Sequence, residues 1–115
     1  MASDLTFVEF ACDQASDAGQ ITFKKMFGEY AVYFGNKVVA LVCDNRFFLK
    51  PTDAGRRILK TVVESRPYPG AKPFFLIEEE LEDRELLSKL IKETGNEIPE
   101  PAPRKQKKPT GKNKK

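Results

Sequence analysis

Residues 24–50, KKMFGEYAVYFGNKVVALVCDNRFFLK, decide the fold of this chain. Runs of β-branched and aromatic residues alternate there with residue pairs that contain Gly, Asn or Asp. Such pairs supply the positive φ angles that two-residue hairpin turns require. The stretch and the residues just before it therefore predict four antiparallel strands, at 21–27, 30–34, 37–43 and 46–50. Gly28 suits the first position of a type II′ turn, with a β-bulge at this glycine as the alternative.

The third of these strands, residues 37–43, is apolar on both faces. An antiparallel strand usually keeps one of its faces in water. This strand therefore requires cover on both faces, and the sequence allows two sources of that cover. One is the helices and loops of the same chain, and the other is a second copy of the chain in a homodimer.

Two helices flank these strands in the sequence. The first is predicted over residues 4–18, with Ser3 as its N-cap and Gly19 at its end. The second begins at Pro51-Thr52-Asp53, because proline and then an acidic residue suit the first turn of a helix. Its apolar side chains recur at helical spacing. They are Ala54, Ile58, Leu59, Val62 and Val63.

After a loop at Arg66–Pro73, a fifth strand is predicted at about 74–78 and a third helix at about 84–94. Asp83 is expected to cap this helix and Gly95 to end it. The resulting order is α-β-β-β-β-α-β-α. It describes a two-layer α+β fold, in which three helices pack against a mostly antiparallel sheet of about five strands.

The chain changes character at Pro99. Residues 99–115 hold seven basic side chains, one acidic side chain and no large apolar one, so we expect a disordered basic tail with a net charge of +6. Residues 1–98 hold 13 basic and 16 acidic side chains, a net charge of −3, and form the folded domain. The tail is expected either to contact nucleic-acid phosphates weakly and without sequence preference, or only to keep the chain in solution. Its basic residues are Arg104, Lys105, Lys107, Lys108, Lys112, Lys114 and Lys115.

Residues that the chain lacks make several function classes unfavourable. It contains no histidine, the commonest general base and metal ligand, and its seven glycines build no phosphate-binding loop. Cys12 and Cys43 are too few for a zinc site and are expected to be buried thiols, with a disulfide between them as the alternative. We therefore predict no cofactor, no metal and no catalytic residue. No signal peptide or membrane span is recognisable, which predicts a cytoplasmic protein without a membrane partner.

Two groups of polar side chains are candidate sites. The run at residues 78–83 holds five carboxylates, which suit a hard cation, but its place just before a helix favours a role at the helix start. A second group combines tyrosines with cations near strand ends. It forms an anion, nucleobase or partner site if the strand register gathers its members, and otherwise only the polar border of an amphipathic sheet. Its members are Lys25, Tyr30, Tyr33, Arg46, Lys50 and Lys72.

Several separated motifs occur in the order that one family shows. They are Lys25-Met26-Phe27-Gly28, then Tyr30 and Tyr33, then residues 44–50, then residues 68–73, and finally Leu81-Glu82-Asp83. Together they resemble the N-terminal domain of the TfoX/Sxy competence regulators over roughly residues 4–98.

This resemblance implies a non-enzymatic regulatory or interaction domain, of a family associated with transcriptional control of natural competence. We expect no counterpart of the C-terminal domain of the full regulators, which favours binding of another protein over direct promoter control. One alternative is a small enzyme or ligand-binding domain that uses Tyr, Lys and carboxylate groups. A polar pocket lined by Tyr30, Tyr33 and Lys50 would favour that alternative, and a flat apolar patch would favour the interaction domain. A purely structural oligomer is the third hypothesis.

Overall fold

The computed structural model describes residues 3–26 and 29–99 of the chain. Its helices are α1 (Leu5–Gln14), α2 (Asp53–Ile58) and α3 (Arg84–Glu97), with short 3₁₀ helices at Ser16–Ala18 and Glu79–Glu82. Its strands are β1 (Ile21–Met26), β2 (Glu29–Phe34), β3 (Lys37–Cys43), β4 (Arg46–Leu49), β5 (Glu64–Ser65) and β6 (Phe74–Ile77). Within the described ranges, no helix has the length and apolar character to cross a membrane. The basic side chains of the predicted tail lie outside the described residues.

All these strands join one antiparallel sheet in the order β1-β2-β3-β4-β6-β5. The predicted α+β fold, with three helices and an antiparallel sheet, is confirmed. Within the described residues, the sheet has six strands rather than about five. The strand that the sequence did not reveal is β5, in which Glu64 pairs with Phe75 and Ser65 pairs with Phe74.

The predicted second helix was too long, and β5 lies just beyond its expected end. The helix α2 ends at Ile58 because Leu59 takes an extended backbone, with φ −72° and ψ 130°. Val63 then accepts a backbone hydrogen bond from Leu76 at 2.8 Å, which leads the chain into the sheet. Valine suits strands as well as apolar helix stripes, so the helical spacing of Val62 was misleading.

The hairpin turns follow the residue pairs that the sequence marks. Asp44 and Asn45 have φ angles of 53° and 56°, as a type I′ turn requires, and Gly35 has a φ of 63°. The first turn is shifted by one residue from its expected place, because Met26 pairs with Glu29 and residues 27 and 28 lie between the strands. The conformation of Gly28, and with it the choice between a type II′ turn and a bulge, lies outside the described residues.

A bulge does occur, but in β3. Val32 pairs with Ala40 and Tyr33 pairs with Val38, so Val39 is an extra residue on β3. Both Val39 and Ala40 are fully buried in the core. A bulge thus turns two consecutive side chains toward the same side of the sheet. This explains part of the unbroken apolar run that the sequence shows in this strand.

The helices cover one face of the sheet, here named the helix side. From α1, Val8 and Ala11 are fully buried, and from α3, Leu87, Leu90 and Ile91 are fully buried. The cross-strand rows Tyr30–Val42–Phe47–Ile77 and Val32–Ala40–Leu49–Phe75 face these helices.

The start of α1 differs from the expectation. Asp4, not Ser3, is the N-cap residue, and its side chain makes no capping hydrogen bond. The helix ends at Gln14 rather than near residue 18, and the 3₁₀ helix Ser16–Ala18 follows it. Ser3 is buried and hydrogen-bonds elsewhere, to Glu29. A sequence pattern that is typical of a helix cap here serves to anchor the segment before the helix.

The helix α3 begins as predicted but continues past its expected end. Asp83 caps it, since its Oδ1 accepts a hydrogen bond from the backbone N–H of Leu86 at 3.1 Å. Gly95 lies buried inside the helix instead of ending it. A Cβ atom at this position would lie within 3.0 Å of Cδ2, Cε2 and Cγ of Phe34. The glycine therefore allows α3 to pack directly on β2, which is a tertiary requirement that the local sequence does not show.

The close approach of Gly95 to Phe34 predicts the sign of one substitution. Gly95→Ala should destabilise the domain by about 1–3 kcal/mol, the usual cost of overpacking a filled core. In an unobstructed helix the same change would stabilise by about 1 kcal/mol. Urea denaturation measures the difference, and Asn96→Ala, at an exposed site one residue further along α3, is the matched control. A stabilised Gly95→Ala variant would contradict the described packing of α3 on β2.

Candidate functional site

The face of the sheet opposite the helices, here named the open side, carries a cross-strand row of mixed character. The row runs through Lys24, Ala31, Leu41, Phe48 and Leu76. Arg46 and Lys50 stand two residues before and after Phe48, so they project to this same side. Lys50 continues the pairing with β3, because its N–H donates to the carbonyl of Val39 at 2.8 Å.

The loop between β5 and β6 crosses the open side. Pro67 and Ala71 in this loop are buried. Pro67 and Tyr68 line a common cavity with Leu41 and Met26, although the loop starts and ends at the opposite edge of the sheet. The loop must therefore pass over β4 and β3, and Phe48 is only 1% exposed there. The second cover that β3 requires comes, in this part, from the same chain.

Between this loop and the sheet lies a cavity of about 400 Å³, here named the sheet cavity. Its lining is predominantly apolar. Two of its residues are largely exposed for apolar side chains, Met26 at 41% and Tyr68 at 56%. The lining consists of Met26, Glu29, Tyr30, Leu41, Cys43, Pro67 and Tyr68.

The carboxylate of Glu29 is committed to hydrogen bonds at one end of this cavity. Its Oε1 accepts from the N–H of Ser3 at 3.0 Å and from the Oγ of Ser3 at 2.7 Å. Its Oε2 accepts from the N–H of Asp44 at 3.2 Å. The N–H of Asn45 donates to the Oγ of Ser3, and the N–H of Asp4 donates to the Oδ1 of Asn45. The carboxylate thus fastens the start of the chain to the β3–β4 turn.

The two thiols are free, and neither is activated. Burial raises the pKa of Cys43, which lines the cavity, and the negative charge of Glu29 raises it further. Burial raises the pKa of Cys12 from its ordinary value of 9.0 to about 11. A nucleophilic cysteine requires a lowered pKa. These environments favour the protonated, unreactive form, and the disulfide that the sequence left open is not formed.

The structure divides the predicted group of tyrosines and cations. Tyr30 is buried on the helix side, where its ring meets the edge of Phe23 at 5.7 Å between centroids. Lys25 pairs with Tyr30 and therefore shares that side. Tyr33, Arg46 and Lys50 project to the open side. The register does not gather all six residues, because alternation along β1 and β2 places Lys25 and Tyr30 on the side opposite Tyr33.

Lys24, which the sequence analysis did not choose, takes the place expected of Lys25. Its Nζ lies 5.5 Å from the centroid of the Tyr33 ring on the open side. On the same side, the guanidinium of Arg46 lies 6.0 Å from the ring of Phe48. Arg46 also pairs with Asp44 at 3.8 Å. Lys72 is exposed in the loop that crosses this side. The open side thus carries several basic side chains beside the carboxylates of Glu29 and Asp44, although the folded domain as a whole is acidic.

The acidic run at residues 78–83 serves the start of α3. Glu79–Glu82 form a 3₁₀ helix and Asp83 caps the helix that follows. Within the part of the chain that the structure describes, no group of three or more His, Cys, Asp or Glu side chains is placed to hold a metal ion.

The sheet cavity was not predicted from the sequence. Residues 68–73 were identified only as a family motif in a loop, and the path of this loop is set by tertiary contacts. The one available signal was the apolar character of β3 on both faces, which requires cover but does not say what provides it.

The fold and the cavity define a class, a two-layer α+β domain with a partly covered apolar cavity on the open side of its sheet. The model of the TfoX N-terminal domain family matches residues 13–97 of the chain. The chain is also 41% identical over 107 residues to an uncharacterized 12.7 kDa protein in the trpE 5′ region of Spirochaeta aurantia, with 93% of each protein covered. The chain belongs to the TfoX N-terminal domain family.

The raised thiol pKa values predict slow alkylation. At pH 8, a pKa of about 11 leaves the thiolate fraction of Cys12 roughly 100-fold below that of a thiol with the ordinary value of 9.0. Iodoacetamide should therefore modify both cysteines slowly in the folded chain and at ordinary rates in urea, as mass spectrometry can follow. Because the folded state binds this proton more tightly, the contribution of Cys12 to stability is present below about pH 9 and is lost toward pH 11. Rapid modification of the folded chain at pH 8 would contradict these environments.

Proposed function

We propose that this chain is a regulatory interaction domain without catalytic activity, and that it binds a protein partner through the sheet cavity. Membership of the TfoX N-terminal domain family suggests a regulatory, competence-related domain, and this family is not known as enzymatic. A cytoplasmic location is part of the proposal, since free thiols at Cys12 and Cys43 suit a reducing compartment.

The observation that carries the proposal is the chemistry of the sheet cavity. Its volume of about 400 Å³ suits one or two apolar side chains, and its lining is largely apolar. Its carboxylate, on Glu29, already accepts three hydrogen bonds. Exposed Met26 and Tyr68 at the lining are the kind of residue that anchors a protein interface. These groups favour hydrophobic docking over acid–base chemistry.

The charges around the cavity indicate the character of the partner. Lys24 and Lys50 project to the open side, and Lys72 lies in the covering loop. The carboxylate of Glu29 in the lining is occupied by hydrogen bonds, and Arg46, which lines the groove beside α1, is paired with Asp44. Complementary charge speeds association and excludes wrong partners. We therefore propose a partner that inserts an apolar side chain flanked by acidic residues. The basic tail of the same chain, at +6, would be repelled from this side.

The alternative, a small enzyme or ligand-binding domain, requires its polar groups in one pocket. The cavity includes Tyr30 and Glu29 but neither Tyr33 nor Lys50. A second groove, of about 410 Å³, lies beside α1 and is lined by Phe7 and Phe10 as well as by Glu78 and Glu82. Arg46 lines it as well, so its border is mixed in charge, and it is the main rival surface for protein docking.

Two pairs of exposed apolar residues give a matched test of the docking surface. Met26 and Tyr68 line the sheet cavity, whereas Leu5 and Phe10, at 48% and 41% exposure, lie on α1. A protein captured by the tagged chain, with nuclease present, is purified and titrated against aspartate variants. Met26→Asp and Tyr68→Asp should each weaken binding at least about tenfold, as loss of an interface anchor does. Leu5→Asp and Phe10→Asp should leave it unchanged.

The reverse pattern would move the docking surface to the groove beside α1 and contradict the proposal. Loss of capture only after nuclease treatment would show that nucleic acid holds the complex together. The homodimer that the sequence leaves open is tested here as well, since a second copy of the chain is the other candidate occupant of the cavity. Sedimentation over a wide concentration range that shows a species above 13.0 kDa, and its loss in Tyr68→Asp, would assign the cavity to a second copy.

Contact of the basic tail with nucleic acid has a quantitative signature. If its seven basic residues engage phosphates, the logarithm of the affinity for duplex DNA should fall with the logarithm of the salt concentration, with a slope of about −0.9 per phosphate engaged. Deleting residues 99–115 should abolish binding, because the folded part carries a net charge of −3. An anisotropy titration measures both effects. Affinity retained by the truncated chain would place the contact on the folded domain instead.

A further inference from the structure

One edge of the sheet is open among the residues that the structure describes. The strand β1 pairs with β2 along Ile21–Met26, and no described element pairs with its other side. Among the residues that the structure describes, no further backbone or side-chain hydrogen bond involves β1. Alternate residues of an antiparallel edge strand direct their N–H and C=O groups outward. The strand therefore presents a row of unused donors and acceptors that matches the backbone of an added strand.

The opposite edge does not offer the same surface. It is formed by β5, which has only two residues, Glu64 and Ser65. A very short edge strand is a common protection against unwanted pairing. The six residues of β1 are long enough to hold an extended peptide, so the two edges of this sheet are not equivalent.

The side chains of β1 give its edge a positive charge on both faces. Lys24 and Lys25 are exposed, and they project to opposite sides of the sheet. Neither takes part in an ion pair among the described residues. Lys24 lies over the ring of Tyr33 at 5.5 Å, which keeps its charge near the sheet.

We propose that the edge of β1 binds an extended, acidic segment of another protein as an added strand. The main chain of the segment would pair with β1, and two consecutive acidic residues would meet Lys24 and Lys25 on the two faces. In this mode of recognition, backbone hydrogen bonds provide affinity and side-chain contacts provide selectivity. This inference rests on the proposed interaction role, but it uses the edge of the sheet rather than the sheet cavity.

Two other occupants fit less well. Two copies paired antiparallel about a two-fold axis overlap most when Phe23 or Lys24 faces its own copy. In either register, Lys24 and Lys25 of both copies lie within one short pair of strands. Repulsion between these like charges opposes the pairing. The basic tail of the same chain is excluded for the same reason, since seven basic residues would lie against these lysines.

A blocked peptide, acetyl-Val-Thr-Glu-Glu-Val-Thr-Val-amide, is the direct probe of this site. Two-dimensional NMR of the full chain should show shifts concentrated in Ile21–Met26, and the outward amides there should gain protection from hydrogen exchange. The same peptide with N-methyl groups on alternate residues should not bind, because it cannot form the ladder. Shifts elsewhere on the domain, or equal binding of the methylated peptide, would overturn the proposal.

Charge reversal tests the selectivity. Lys24→Glu combined with Lys25→Glu should weaken binding of the acidic peptide at least about tenfold, because two ion pairs are lost and two repulsions between like charges are added. The reversed variant should instead prefer a peptide in which Lys-Lys replaces Glu-Glu. Lys89→Glu combined with Lys92→Glu, at exposed positions on α3, is the matched control and should change nothing. If both variants weakened peptide binding equally, the effect would come from the net charge of the chain, and a site on β1 would be contradicted.

Two further measurements separate this inference from the cavity proposal. Tyr68→Asp should bind the acidic peptide as the unchanged chain does, because Tyr68 lies in the cavity lining and not on β1. A peptide that fails to bind while a partner still depends on Met26 and Tyr68 would remove the edge site and keep the cavity. Outward amides of β1 that are already protected in the free chain would show that a second copy holds the edge, and would also overturn the proposal.

Discussion

The rest of the structure depends on the burial of β3 from both sides. The strand is paired with β2 and with β4, and its bulge directs Val39 and Ala40 together into the helix side. Leu41 and Cys43 project to the open side, where an uncovered apolar surface would be costly in water. The fold therefore needs helices on one side and a further cover on the other.

That further cover is a loop, and its limited size creates the candidate site. Pro67 and Ala71 are buried, and the sheet cavity remains between this loop and β3. The strand β1 lies further from the loop, so Met26 and Lys24 stay exposed on the open side. The apolar cavity, Lys24 and the unpaired edge of β1 thus lie on one part of the molecule, because the cover of the open side ends there.

Local chemistry made a large part of the fold predictable. The Asp44-Asn45 pair accepts the positive φ angles of a hairpin turn, and Asp83 caps α3 with its own carboxylate. Both effects act within a few residues of the side chain that causes them. The four strands from residue 21 to residue 50 follow from such signals, and so does the family resemblance.

The features that the sequence did not reveal depend on distant contacts. Glycine typically ends a helix, but Gly95 lies inside α3. Its role there is to let α3 approach the ring of Phe34, which is distant in the sequence. The strand β5 is too short to carry a pattern of its own and exists through pairing with β6. The candidate site divides for the same reason, since a one-residue difference in register decides whether Lys24 or Lys25 meets Tyr33.

Amide hydrogen exchange of the free chain tests the central claim, that the sheet is closed around β3 and open at β1. We expect the slowest exchange at Ala40–Val42 in β3, which are paired on both sides and covered on both faces. We also expect alternation along Ile21–Met26, with slow exchange where an amide faces β2 and fast exchange where it faces outward. Uniform protection along β1, or exchange in β3 as fast as in β1, would contradict that claim.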